Sequence, residues 1–254
     1  RMQVGIAILI PILTLIALFF MWRKYGKEYQ AEFQGDYYRE LPADYSPAEL
    51  SVLWNWGQVK THDITATLLD LARRQYITIE QELFEKKRLL GTKEVTTYLI
   101  SLRKEKYDAE REKLRPHEID LINLIFSKIS KGKPYLYLYD IEEYSKENSR
   151  GFYNFWLGWK NDLAAIGETN EWFLGTPNRI RWIAAGVALV FFLTGLILIR
   201  AEVVLPGVSI FLCSFFIAFV PAKFKRRSQP AHEDLRKWEA FKRFLLHFSN
   251  MERH

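Results

Sequence analysis

Three stretches without a single charged residue divide this chain, and each is long enough that lipid suits it better than water. Met2–Trp22 is the first; as a helix rising ~1.5 Å per residue it reaches about 31 Å, enough for the hydrocarbon core of a bilayer. Trp182–Ile199 would reach about 27 Å, and after Arg200-Ala201-Glu202 a third run covers Val203–Ala222. The composition of 49% hydrophobic and 26% charged residues resembles that of a globular protein, but it averages over two very different kinds of segment. We therefore expect three transmembrane helices, 2–22, 182–199 and 203–222. The first run is longer than a signal-peptide core and has no small-residue cleavage pattern before Arg23-Lys24, so it reads as a retained span. The chain opens on Arg1 and enters an apolar run at once, which leads us to expect a piece of a longer protein.

Lys and Arg accumulate beside the spans at Arg23, Lys24 and Lys27, at Arg179 and Arg181, and at Lys223, Lys225, Arg226 and Arg227. With three alternating spans all these clusters fall on one side, which the positive-inside rule assigns to the cytoplasm of a bacterial inner membrane. The spans hold no Asp, Glu, Lys, Arg or His, and proton relays and ion pathways use such groups, which argues against a pump or transporter. Pro11 should bend the first helix. Ser209 and Cys213 read as small residues of a helix interface, and lone hydroxyls such as Thr14 and Ser214 can bond back to their own helix.

The charged residues between the first two spans predict a soluble α+β domain. A connector, 23–45, lacks helical periodicity and should run extended along that domain. Ser46-Pro47-Ala48-Glu49 is a capping box with proline at the first helical position, starting a helix that ends near Gly57. Asp63 is expected to cap a helix over Ile64–Arg74, with Ile64, Leu68, Leu71 and Ala72 inward and Thr65, Thr67 and Asp70 outward. Strands Tyr76–Gln81 and Val95–Leu102 flank a basic loop containing Gly91. The order then recurs, with a helix over Pro116–Ile129, a strand over Tyr135–Tyr139, a helix opened by Asp140-Ile141-Glu142-Glu143 and a last helix over Phe152–Ile166. This suggests two winged-helix-like units in tandem, 46–112 and 113–178. Residues 230–254 form a basic amphipathic helix whose stripe, Leu235, Trp238, Phe241, Leu245 and Phe248, is a candidate membrane-interfacial surface, or else packs against protein.

Tyr45-Ser46-Pro47-Ala48-Glu49, then Asp63-Ile64-Thr65-Ala66-Thr67-Leu68-Leu69-Asp70-Leu71-Ala72-Arg73-Arg74 with Tyr76-Ile77-Thr78-Ile79, and finally Trp238-Glu239-Ala240-Phe241-Lys242-Arg243-Phe244-Leu245 resemble, in order, bacterial predicted membrane proteins of the YciQ-like type, domain of unknown function 2207. The resemblance covers nearly the whole chain. It implies a secreted β-rich domain before the first span and a continuation after His254, and it implies architecture without an activity.

No catalytic site is legible. His62, His117, His232, His247 and His254 are scattered, the single cysteine lies in an apolar run, and there is no phosphate-binding glycine loop or nucleophile elbow. We expect no cofactor, no metal and no enzyme. The remaining reading is a membrane-anchored scaffold that contacts the lipid bilayer and binds other proteins or itself, with a membrane-anchored DNA-binding regulator as the alternative. Nucleic acid is disfavoured because the helix over Ile64–Arg74 carries positive charge only at its C-terminal end.

Overall fold

The computed structural model describes residues 2–88 and 91–251, with side chains for all of these except Met2, 83–88, 91–96 and 249–251. Arg1, His254 and the side chains of Lys86 and Lys87 therefore lie outside the described residues. The chain divides into two compact units, Arg1–Pro42 with Glu171–His254, and Ala43–Asn170.

The first unit contains the three apolar helices, α1 (Met2–Tyr25), α8 (Asn178–Arg200) and α9 (Val204–Lys223). Each is long and apolar enough to cross a membrane. The helices outlast the charge-free runs by up to a turn, because basic residues are welcome among the unpaired carbonyls of a helix C-terminus, as Arg23 and Lys24 are in α1. Helix α9 packs against both α8 and α1. The α8–α9 hairpin is closed by small residues. A Cβ on Gly195 would lie 2.8 Å from the Phe211 backbone nitrogen, and one on Gly207 would lie 2.9 Å from that of Ile199. Backbones approach this closely only where side chains are missing, and in lipid such packing replaces the hydrophobic drive that water supplies elsewhere. Cys213 and Ser214 are buried in the same bundle.

Pro11 lies within α1 and has no N–H to donate to the carbonyl of Ala7, four residues back. Ser209 of α9 supplies the donor: its Oγ bonds to that carbonyl at 2.8 Å. The proline's defect in one helix thus becomes a specific contact with another, the compensation that lets membrane helices keep prolines. Thr14 and Ser214 bond within their own helices, to Ile10 O and Phe211 O.

Two short strands, β4 (Phe173–Gly175) and β5 (Lys225–Arg227), pair antiparallel and tie the entry of α8 to the exit of α9. Thr176 Oγ1 donates to Pro221 O at 2.7 Å, partnering a carbonyl at the end of α9. Helix α10 (Gln229–Met251) follows.

The second unit is α+β. Helix α2 (Pro47–Trp54) starts at the expected capping box, in which Ser46 Oγ accepts from Glu49 N and Glu49 Oε2 accepts from Ser46 N. It ends before Gly57, whose φ of 83° suits a residue without a Cβ. Helix α3 (His62–Arg73) begins after Thr61, not at Asp63. Asp63 is instead buried, accepting from Ser51 Oγ of α2 and from Lys60 N. Thr67 was expected outside but is fully buried, its hydroxyl donating to Asp63 O.

The expected basic loop is strand. β1 (Ile77–Arg88) and β2 (Gly91–Leu102) pair from Ile77↔Leu102 to Arg88↔Gly91. Ladder hydrogen bonds do not depend on side-chain polarity, so the charged residues 85–88 stay in the hairpin. Strand β3 (Tyr135–Tyr137) adds to β2 as a third strand. Between them lie α4 (Lys104–Glu110), a 3₁₀ turn over Arg111–Lys113, and α5 (Pro116–Asn123), which continues as a π-helix over Leu124–Ile129. Helix α6 (Leu138–Glu147) starts two residues before the expected cap. Asp140 sits in its first turn and accepts from Tyr137 N at 2.8 Å. Helix α7 (Ser149–Thr169) completes the unit.

Residues expected in two tandem units share one sheet and one core. Leu71 from α3, Ile77 and Ile100 from the hairpin, Leu121 from α5, Ile125 from the π-helix and Leu136 from β3 pack in a single cluster. Residue 112 therefore falls inside one compact unit, Ala43–Asn170, whose sheet β3 joins by pairing with β2. Trp172 and β4, placed by the sequence reading in the soluble part, belong to the membrane unit.

Candidate functional site: a basic membrane end with a polar clasp

The three basic clusters converge. Arg23 and Lys24 end α1, Arg179 and Arg181 lie in the first turns of α8, and Lys223 ends α9. Since α8 runs against α9, and the Ser209–Ala7 bond joins the starts of α9 and α1 so that their basic C-terminal ends lie together, all these residues lie at one end of the bundle. Arg23, Lys24, Lys27, Arg179, Arg181, Lys223 and Lys225 are exposed there, whereas Arg226 is half-buried and Arg227 is buried.

Those last two serve the fold. Arg226 Nη1 donates to Lys24 O at 2.9 Å, Nη2 donates to Tyr29 Oη at 2.5 Å, and the guanidinium lies 4.1 Å from the Tyr29 ring centre. Arg227 pairs with Glu28 Oε1 at 2.7 Å, and His232 Nδ1 meets the other oxygen of Glu28 at 2.5 Å. Lys225 lies over the Phe173 ring.

The contacts continue along the connector. Glu233 of α10 accepts from the backbone N–H groups of Glu32 and Phe33, Arg243 Nε donates to Asp36 O, and Tyr37 Oη bonds His247 Nδ1 at 2.6 Å. The connector was expected along the soluble domain. Its residues up to Pro42 instead belong to the membrane unit and clasp the tail helix. A chain without its own helix or sheet needs partners for its backbone groups, and Glu233 supplies two.

Residues 34–254 match the family described as predicted membrane protein (DUF2207), C-terminal domain. The chain belongs to this family. Comparison of the DUF2207 chain with curated proteins and with solved structures gives no match.

In this DUF2207 protein the stripe on α10 divides. Leu235 and Trp238 are buried, Phe241 is half-buried, and Leu245 and Phe248 are each 48% exposed. The cations beside the stripe are engaged too, Arg236 with Glu239, Lys237 with Glu233 and Arg243 with Asp36. The first half of the helix thus packs against protein, and only its last turns keep an open apolar surface.

The Ala43–Asn170 unit holds a buried polar network that no local sequence pattern marks. Glu118 is 1% exposed and pairs with Arg74, whose Nε also lies 2.9 Å from Asp70 Oδ2. Arg115 pairs with Glu49 and donates to Asp44 O. His117 is 2% exposed, its Nε2 bonds Ser46 Oγ at 2.9 Å, and its carbonyl accepts from Trp159 Nε1 at 2.8 Å. Helices α2, α3, α5 and α7 are therefore joined by charge and hydrogen bonds as well as by apolar contact.

Burial, reinforced by the positive charges of Arg115 and Arg74, lowers the pKa of His117 to about 4. The folded value lies below the unfolded one of ~6.5, so the stability tied to neutral His117 is complete above that pH. It is lost as pH falls from 6.5 through 4, by about 3 kcal/mol. Urea unfolding of the Ala43–Asn170 fragment should show this loss between pH 7 and pH 4, and His117→Gln should lose less over the same interval. Equal losses in the two proteins would show that His117 is not the titrating group.

A second open feature lies beside β3. Tyr135 and Tyr139, 46% and 37% exposed, line a cleft of about 420 Å³ with Tyr137 and Lys133. The Tyr137 and Tyr139 rings stack 5.5 Å apart, and Tyr137 Oη donates to Glu82.

Proposed function

We propose that this protein is a membrane-anchored, non-enzymatic scaffold whose Ala43–Asn170 unit lies on the cytoplasmic side of a bacterial inner membrane and binds protein. The observation that carries the reading is the tyrosine-lined cleft beside β3. Tyrosine offers a large rigid surface with a polar tip, the chemistry that protein interfaces favour. Leu138, 45% exposed at the start of α6, adds apolar area next to it.

The state of α3 weighs against nucleic acid. Arg73 is committed to Asp70, and Arg74 to Asp70 and Glu118. A helix that reads DNA presents its polar side chains outward to base edges, whereas here Thr67 is buried and the cations face the protein's own carboxylates. Fragment 43–170 should therefore bind duplex DNA no tighter than about 10⁻⁶ M, equally for random and genomic sequences, and the binding should weaken as salt rises. Selective binding that survives physiological salt would replace the scaffold by a regulator. The orientation is tested separately: reporters placed after Arg227 and at Gly91 should both report the cytoplasm.

A further inference from the structure

Helices α1 and α8 both pack on α9, and between them runs an open apolar groove of about 630 Å³. Leu13, Ala17 and Phe20 of α1 form one wall, Ile183 and Val187 of α8 the other, and Ile217 of α9 contributes to the floor. Thr14 also lines it, but its hydroxyl proton is donated to Ile10 O of its own helix and the residue is buried, so the middle of the groove offers a ligand no free donor. A polar solute has nothing to hold there, and a cavity lined by hydrocarbon does not keep water.

One end of the groove has the opposite character. Lys24, Tyr25 and Ile180 line it, and Ile180 is flanked in sequence by Arg179 and Arg181. Arg226 and Arg227, at the same end of the bundle, are taken up by Tyr29 and Glu28. Among the described residues, Lys24, Arg179 and Arg181 have no carboxylate within ion-pair distance and are exposed. Lys24 lies 5.4 Å from the Tyr25 ring centre and Arg181 Nη1 lies 3.4 Å from Asn178 Oδ1, contacts that neutralise no charge. Cations without a carboxylate partner, continuous with a slot for hydrocarbon, match a molecule that is anionic at one end and apolar along the rest.

We propose that this groove seats an acyl chain of an anionic phospholipid, with the lipid phosphate held by Lys24, Arg179 and Arg181. The bilayer presents such a lipid in the required orientation, with its chain in the hydrocarbon beside α1 and α8 and its phosphate at the level where the basic residues begin. The assignment does not depend on which side of the membrane the basic end faces.

The test uses the full chain purified in mild detergent, mixed with phosphatidylglycerol or phosphatidylcholine of the same acyl chains, and read by native mass spectrometry. The wild type should retain one phosphatidylglycerol with a preference of about tenfold or more over phosphatidylcholine. Ala17→Phe and Val187→Phe fill the groove from opposite walls, and each should abolish that retained lipid. Ile16→Phe, at an exposed position of α1 outside the groove, should retain it. The triple substitution Lys24→Gln, Arg179→Gln and Arg181→Gln should bring phosphatidylglycerol down to the level of phosphatidylcholine. Equal retention of the two lipids by the wild type would overturn the proposal. So would loss of lipid in Ile16→Phe as complete as in the two groove-filling variants, or a wild type that retains none because a helix of a second copy fills the slot.

Discussion

Gly195→Leu should destabilise the protein in detergent by about 3 kcal/mol, which for a chain of this size lowers the melting temperature by roughly 6–12 °C. The new side chain would start 2.8 Å from the backbone nitrogen of Phe211. Backbone cannot rotate out of the way as a flexible side chain can, so α8 and α9 must separate along their length. Separation loosens the close contact that lipid cannot replace. Gly186, in the same helix, has nothing within 4 Å of an added Cβ, and Gly186→Leu should melt with the wild type. A Gly195→Leu protein that melts at the wild-type temperature would mean that the hairpin is not held by backbone approach.

The second large effect is expected in the Ala43–Asn170 unit. Arg74→Met removes the guanidinium from Glu118, which is 1% exposed. Removing one partner of a buried pair costs about 3–5 kcal/mol because the remaining charge has lost its compensation. Urea unfolding of fragment 43–170 measures it. Adding Glu118→Gln removes the stranded charge while leaving an oxygen to accept from Arg115 N, which Glu118 Oε2 does at 2.9 Å. The double variant should recover at least half of the loss. If the single and double variants unfold together, the cost arises from Arg74's packing over the Tyr76 ring, and the ion pair is incidental.

The parts of this structure legible in the sequence are those written in local chemistry. The absence of charge in three long runs marked the spans, and Ser46 with Glu49 marked the start of α2 because both halves of a capping box lie within one helical turn. Asp63 and Asp140 were misread for a physical reason. A carboxylate near a helix start can serve as the cap itself, accept from an N–H one turn back as Asp140 does, or be buried against a second helix as Asp63 is, and only the tertiary partner decides. The single core was hidden by the same ambiguity. A helix–strand–helix order recurs in sequence, but whether β3 starts a second sheet or joins the first depends on a pairing with β2 across some thirty-five residues. Of the basic end, the clusters of Lys and Arg beside the apolar runs were legible. Glu28, Glu233 and His232 were not, because their partners are separated from them by roughly two hundred residues and no local pattern marks a carboxylate that will be used at such a distance.

That separation bears on the order of events during synthesis. The connector emerges from the ribosome just after α1, but the groups it bonds on β5 and α10 are made 197 to 210 residues later. At about 5–20 residues per second the interval is on the order of 10–40 s. Throughout it, the amides of Glu32 and Phe33 and the carboxylate of Glu28 have only water or transient neighbours, while both remaining spans are translated. The first helix is therefore inserted long before its exit segment is fastened, and the clasp closes only on a chain translated through α10. A nascent protein stalled before Glu233 would carry an unfastened, protease-accessible strand beside its first membrane helix.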